Sequence, residues 1–162
     1  MKQDAPHAAP THAPVQEVFP YLRVCDAQAA IAFYTQVFGA QERMRLTEPG
    51  GRIGHCELVL GNGVLMLSDA YPEFDIHAPD PQDPSARTVF ALHLHVDNAD
   101  RLAERAVAAG ARLMRPPTDQ FYGERSCVIR DPFGHEWMLG HEIEKLSTED
   151  MQRRYDALFA QG

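Results

Sequence analysis

Cysteine is scarce in this chain and does not pair. Cys25, Cys56 and Cys127 are an odd number without regular spacing, which excludes a disulfide framework and a zinc knuckle. A reducing cytoplasm is the expected setting. Long apolar runs are missing too. None reaches the length of a membrane span, and the opening MKQDAPHAAPTHAPVQ lacks the apolar core of a signal peptide, so a soluble, unexported protein is expected. Positive charge is in short supply. Fifteen Lys and Arg against 23 Asp and Glu leave a formal net charge of −8, which argues against a nucleic-acid partner and favours neutral or cationic small molecules. Apolar residues are not short. At 44% of 162 residues they suffice for one compact domain or two small, closely packed modules.

The sequence repeats itself at an offset of 72 residues. Leu94 and Val96 fall on Leu22 and Val24, Asn98 falls on Asp26, and Ala99, Leu102, Ala103 and Ala106 fall on Ala27, Ala30, Ile31 and Tyr34. The same step carries Met66 onto Met138. An offset that holds across strand, cap, helix and a distant strand implies a duplicated structural unit.

Each copy reads as strand, helix and three strands. In the first, Val18 to Val24 alternates as an edge strand that tolerates Pro20. Asp26 caps a helix with an apolar stripe at 27, 30, 31, 34, 37 and 38, which Gly39 stops. Strands follow at Gln41 to Thr47, Arg52 to Leu60 and Gly63 to Ser68, separated by glycine-rich turns. The second copy starts at Thr88. Its helix is capped by Asn98 and ends near Gly110, and its strands lie near Arg112 to Arg115, Arg125 to Arg130 and His135 to Gly140. The expected organisation is a disordered proline-bearing tail over residues 1–16, a first module over 17–69, a proline-rich linker or lid over 70–87, and a second module over 88–146. A terminal helix over 147–162 follows, opened by the capping box Ser147 to Asp150. The predicted fold class is α+β, two tandem βαβββ modules in one domain with a C-terminal helix.

Two βαβββ copies carrying PYLRV, AIAFYTQVFGA, VLMLSD, DQFYGERS and DPFGHEWML resemble the vicinal oxygen chelate superfamily. This group contains glyoxalase I, extradiol dioxygenases and bleomycin-resistance proteins; within it the motifs are similar to the PhnB-like branch. The resemblance covers roughly Glu17 to Leu146. It implies strands curled around a cavity, a homodimer and, in the enzymes, a divalent metal held by the first and last strand of each copy. Matched on these motifs, the metal positions fall on Phe19, Met66, Ala91 and Met138. None is a hard-metal ligand. The resemblance therefore points to a member that binds a small, partly apolar molecule in a cavity between the modules, without a metal or other cofactor.

Strand alternation places His93 and His95 on the face of Ala91, and Glu136 on the face of Met138. The expected ligand pocket is Phe19, Tyr21, Met66, Ser68, Ala91, His93, His95, Tyr122, Glu136 and Met138. His93, His95 and Glu136 are polar lining in this reading and the candidate catalytic residues. In the rival reading they hold a relocated divalent metal or run acid-base chemistry in a lyase, isomerase or dioxygenase. His55 and Glu57 share a strand face expected to be solvated or at an interface, and the loop with Tyr122, Gly123 and Arg125 either closes over a ligand or is a simple turn. His135 and His141 are expected at the surface or as caps. Cys56, Cys127 and Trp137 are expected in the core.

Overall fold

The computed structural model describes residues 14–83 and 89–160. Most of the expected tail, the end of the expected linker and residues 161–162 lie outside the described residues. In chain order the elements are β1 (Tyr21–Val24), α1 (Ala27–Phe38), β2 (Gln41–Thr47), β3 (Ile53–Leu60), β4 (Gly63–Asp69), β5 (Ala91–His95), α2 (Ala99–Ala108), β6 (Arg112–Asp119), β7 (Glu124–Arg130), β8 (Glu136–Glu142) and α3 (Thr148–Ala157). This is an α+β protein of two βαβββ modules and a C-terminal helix.

Local chemistry explains the boundaries. Asp26 Oδ1 accepts from Ala29 N–H at 2.9 Å, and Asn98 Oδ1 accepts from Arg101 N–H at 2.9 Å, so each helix starts on a side-chain cap. Gly39 closes α1 at φ 71°, a left-handed backbone that a side chain would disfavour. The first strand is shorter than its alternation predicts. Pro20 has no N–H to give the ladder; its carbonyl accepts from Met66, and regular pairing starts at Tyr21. The second module is trimmed similarly: Val89 is fully exposed and pairing starts at Ala91.

The sheets run β1-β4-β3-β2 and β5-β8-β7-β6, each with one parallel pair between its first and last strand. The offset of 72 survives as strand register. Tyr21 faces Met66 and His93 faces Met138; Arg23 faces Ser68 and His95 faces Gly140. One face of each sheet packs on the helices, burying Leu22, Leu67, Cys56 and Leu58 in the first module and Leu139, Cys127, Ile129 and Trp137 in the second. The other face is concave and carries the polar residues.

The two modules are joined through one buried carboxylate. Asp131, in the DPFG turn, accepts from Tyr34 Oη of α1 at 2.7 Å, from Trp137 Nε1 at 2.8 Å and from two backbone amides of its own turn at 2.9 Å. Every lone pair of this buried charge is thus engaged, which offsets its desolvation. Burial and the Asp131 charge raise the Tyr34 pKa well above the usual phenol value. Around this link Tyr34, Phe38 and Trp137 stack at 4.7 to 5.9 Å between ring centres. Trp137 is thus core, as its strand parity predicts.

Beyond β8, Ser147 Oγ caps α3 by accepting from Asp150 N–H at 3.1 Å. Arg154 donates to both oxygens of Glu144 at 2.8 Å, and Tyr155 lies 5.4 Å from Phe121, so the helix rests on the loop that precedes β7. No residue of α3 is itself buried. No helix among the described residues is long and apolar enough to cross a membrane.

Candidate functional site

The concave face of the first module is a closed polar network. The Tyr21 hydroxyl and His55 Nδ1 hydrogen-bond at 2.8 Å, and His55 Nε2 lies 3.4 Å from Glu57, which also meets Arg43 at 3.5 Å. Arg23 spans this face: its guanidinium sits 4.2 Å over the Tyr21 ring and donates to the buried Ser68 hydroxyl. Met66 is Tyr21's neighbour on β4, and Phe19 stands partly exposed just before β1. His55 and Glu57, read from sequence as a solvated or interface face, are tied to Tyr21 in this network.

The concave face of the second module is open. Its strands bound a cleft of about 450 Å³ whose walls include Met138, Val128, Ser126, Tyr122, Thr118 and Arg115. The Tyr122 hydroxyl and Ser126 Oγ meet at 3.3 Å on its polar side. Arg115 is the charged group of this lining. A cationic ligand, one of the two kinds that net charge favours, therefore finds no counter-ion among the cleft walls, whereas an anionic one meets Arg115 and a neutral one the Tyr122 and Ser126 hydroxyls.

His93 and His95 lie together beside this cleft, their ring centres 4.8 Å apart. The carboxylate that joins them belongs to Glu124, at the start of β7. Its Oε1 lies 3.2 Å from His95 Nε2 and its Oε2 lies 3.8 Å from His93 Nε2. Glu136, the carboxylate that strand alternation places beside these histidines, is engaged elsewhere. It stands opposite Ala91, one alternation from His93, and accepts from Arg130 Nη2 at 2.6 Å. Glu124 escaped sequence reading because its strand is joined to β5 only through β8. The one signal available was its position, the first residue of the strand after the DQFYG turn.

Other expectations resolve plainly. The loop before β7 is a tight turn: Gly123 has φ 86°, and a Cβ there would meet the Glu144 carbonyl at 2.3 Å. Arg125 turns from the cleft, donating to both oxygens of Asp100 on α2 and to Asp119, each at 2.8 Å. These hydrogen bonds raise the guanidinium pKa and hold the Asp100 carboxyl below its ordinary range. His141 Nδ1 accepts from Ala99 N–H at 3.0 Å and so helps cap α2, while His135 Nε2 donates to the Arg23 carbonyl at 2.9 Å. Cys56 and Cys127 are buried, and burial pushes the Cys56 thiol up to about 11, far from a reactive thiolate.

Paired βαβββ modules with concave sheets define the class. Residues 7–139 match the Glyoxalase/Bleomycin resistance protein/Dioxygenase superfamily, and the chain belongs to that superfamily. Among its relatives, Uncharacterized protein Rv0887c of Mycobacterium tuberculosis (strain ATCC 25618 / H37Rv) is 34% identical over 143 residues, 88% of this chain and 82% of that protein. Of solved structures, a glyoxalase/bleomycin resistance protein/dioxygenase family enzyme from Burkholderia phytofirmans PsJN is 26% identical with a TM-score of 0.59, over 76% of this chain and 96% of that one. Protein PA1353 from Pseudomonas aeruginosa is 25% identical with a TM-score of 0.63, over 79% of this chain and 98% of that one. Phe19, Met66, Ala91 and Met138, which the resemblance sets at the superfamily's metal positions, offer no imidazole or carboxylate to a divalent ion.

Proposed function

We propose that this chain binds a small, partly apolar molecule in the cleft of the second module, with no metal at Phe19, Met66, Ala91 and Met138. The observation that carries this reading is the composition of the cleft. Met138, which replaces a metal ligand, forms an adaptable apolar wall with Val128, while Tyr122, Ser126 and Arg115 offer polar anchors. Apolar burial there contributes about 25 cal/mol per Å² of surface removed from water, and Arg115 sets the orientation of an anionic or hydrogen-bonding end. The motifs PYLRV and DPFGHEWML support a place in the PhnB-like branch. A homodimer is part of the same proposal, supported by the large apolar side chains left exposed on the outer strands, Leu46 on β2 and Leu113 and Met114 on β6, and so is a cytoplasmic setting, with which the free cysteines agree.

The test is a thermal-shift screen of the full chain against drug-sized neutral and anionic molecules, followed by titration calorimetry of each hit. Saturable binding that weakens at least tenfold in Met138→Trp, which fills the cleft, is expected. Binding indifferent to Met138→Trp and to Arg115→Ala, or no binder at all, would remove the cleft as the functional site.

A further inference from the structure

We propose that His93, His95 and Glu124 form a transition-metal site of their own, set beside the cleft and apart from the four positions matched to the superfamily's metal ligands. Two imidazoles and one carboxylate are the donor set that zinc and the neighbouring divalent ions, from iron to nickel, take up. One ligand atom from each residue lies within 4.8 Å of the others, and among the described residues this is the one group of three metal-capable side chains so placed. Ligands about 2.0 to 2.1 Å from a tetrahedral ion lie roughly 3.3 Å from one another. The His95 to Glu124 separation of 3.2 Å already meets that spacing, and the His93 to Glu124 separation of 3.8 Å needs only a small rotation.

Two further observations mark the spot as built. Glu124 Oε2 is buried from solvent and has no hydrogen-bond partner, a costly state that an ion at this point relieves. Gly140, opposite His95 on β8, keeps the space clear. A Cβ there would come within 2.9 Å of His93 Nε2 and 3.0 Å of Glu124 Oε2. The first module shows what the same position becomes without a site: Ser68 takes the place of Gly140, and the Arg23 guanidinium, at the place of His95, donates to it. That hypothetical Cβ also lies 3.7 Å from the Ser126 side chain, which lines the cleft, so the site adjoins the place where a ligand would lie. Three protein ligands leave a coordination position for water or a ligand oxygen.

The test uses the full, untagged chain carrying His7→Ala and His12→Ala, so that histidines near the N-terminus cannot bind metal. Zinc, iron(II), cobalt(II), nickel and manganese are offered singly, and binding is read by elemental analysis after dialysis, by calorimetry and by the visible absorption of cobalt. One ion per chain is expected. Its affinity should fall at least 10- to 100-fold, the range that even outer-sphere partners command, in His95→Ala and in the conservative Glu124→Gln, and stay unchanged in His55→Ala. Metal-free melting temperatures of the variants confirm that they fold. No stoichiometric ion, or equal retention in Glu124→Gln, would overturn the site; so would a loss as large in His55→Ala, which would place the ion on the other module.

Discussion

The two modules share a backbone and differ in how each finishes its concave face. In the first, polar side chains of β1, β3 and β4 on this face are partnered within the module: Tyr21 with His55, Arg23 with Ser68, His55 with Glu57. In the second, matched register positions carry His93, His95 and Gly140, beside a carboxylate with one orphaned oxygen. Counting from the buried cysteines Cys56 and Cys127, which face Leu67 and Leu139, the first-module counterpart of Glu124 is Ile53, which is buried. One copy has thus been satisfied internally and the other left with ligand-capable groups beside a cleft. A duplicated fold can hold its shape with one copy while the other keeps exposed chemistry, because the packed helix faces are separate from the concave ones.

The largest expected effect comes from erasing a difference in the core. The counterpart of Trp137 in the first module, 72 residues earlier, is Leu65. Trp137→Leu removes ring volume packed on Tyr34 and Phe38 and takes a donor from the buried Asp131. A loss of about 3 kcal/mol or more in urea unfolding is expected. A loss under about 1 kcal/mol would mean that the aromatic link between the modules is dispensable.

Next in size is the conversion of one concave face into the other. Gly140→Ser installs the residue of the first module, and its Cβ crowds His93 and Glu124. Metal affinity should fall at least about tenfold, with the melting temperature within a few degrees of the parent. The reverse conversion, Arg23→His with Ser68→Gly, should create no metal site, because Ile53 offers no ligand; cobalt absorption after that double change would break the comparison.

A smaller effect is expected at Arg23→Met, which leaves the buried Ser68 hydroxyl without the guanidinium donor. It should cost about 1 to 2 kcal/mol by chemical denaturation, part of it lost packing on Tyr21. The smallest concerns the matched cysteines. In native protein a thiol reagent at pH 8 should modify Cys25 alone, with Cys56 and Cys127 reacting only on unfolding. The Cys56 thiol titrates near 11 when folded and near its free value when unfolded. Above about pH 9 the unfolded chain therefore binds fewer protons, and stability should decline as pH rises from there toward 11. Modification of all three thiols without unfolding would show that the helix-facing sides of the sheets open readily.

Much of the architecture was legible because its causes are local. Asp26 and Asn98 each cap a helix two or three residues away, Gly39 stops one, and alternation sends Trp137 inward and His93 outward. What failed was position along a face. Glu136 and Glu124 are both placed by alternation on strands that bring them to the concave side. Only the cross-strand register puts Arg130 opposite the one and both histidines within reach of the other. Likewise His141 at the end of α2 and Arg125 on Asp100 depend on how α2 lies across its sheet.

By itself the sequence determined the duplication, the order of elements and the core-facing residues, since each is settled by residue type, period or a fixed offset. The tertiary structure alone decided which carboxylate meets His93 and His95, where the cleft lies, and that Asp131 links the modules. Those contacts join groups far apart in the chain, and strand order, register and helix placement, rather than any local preference, set their distances.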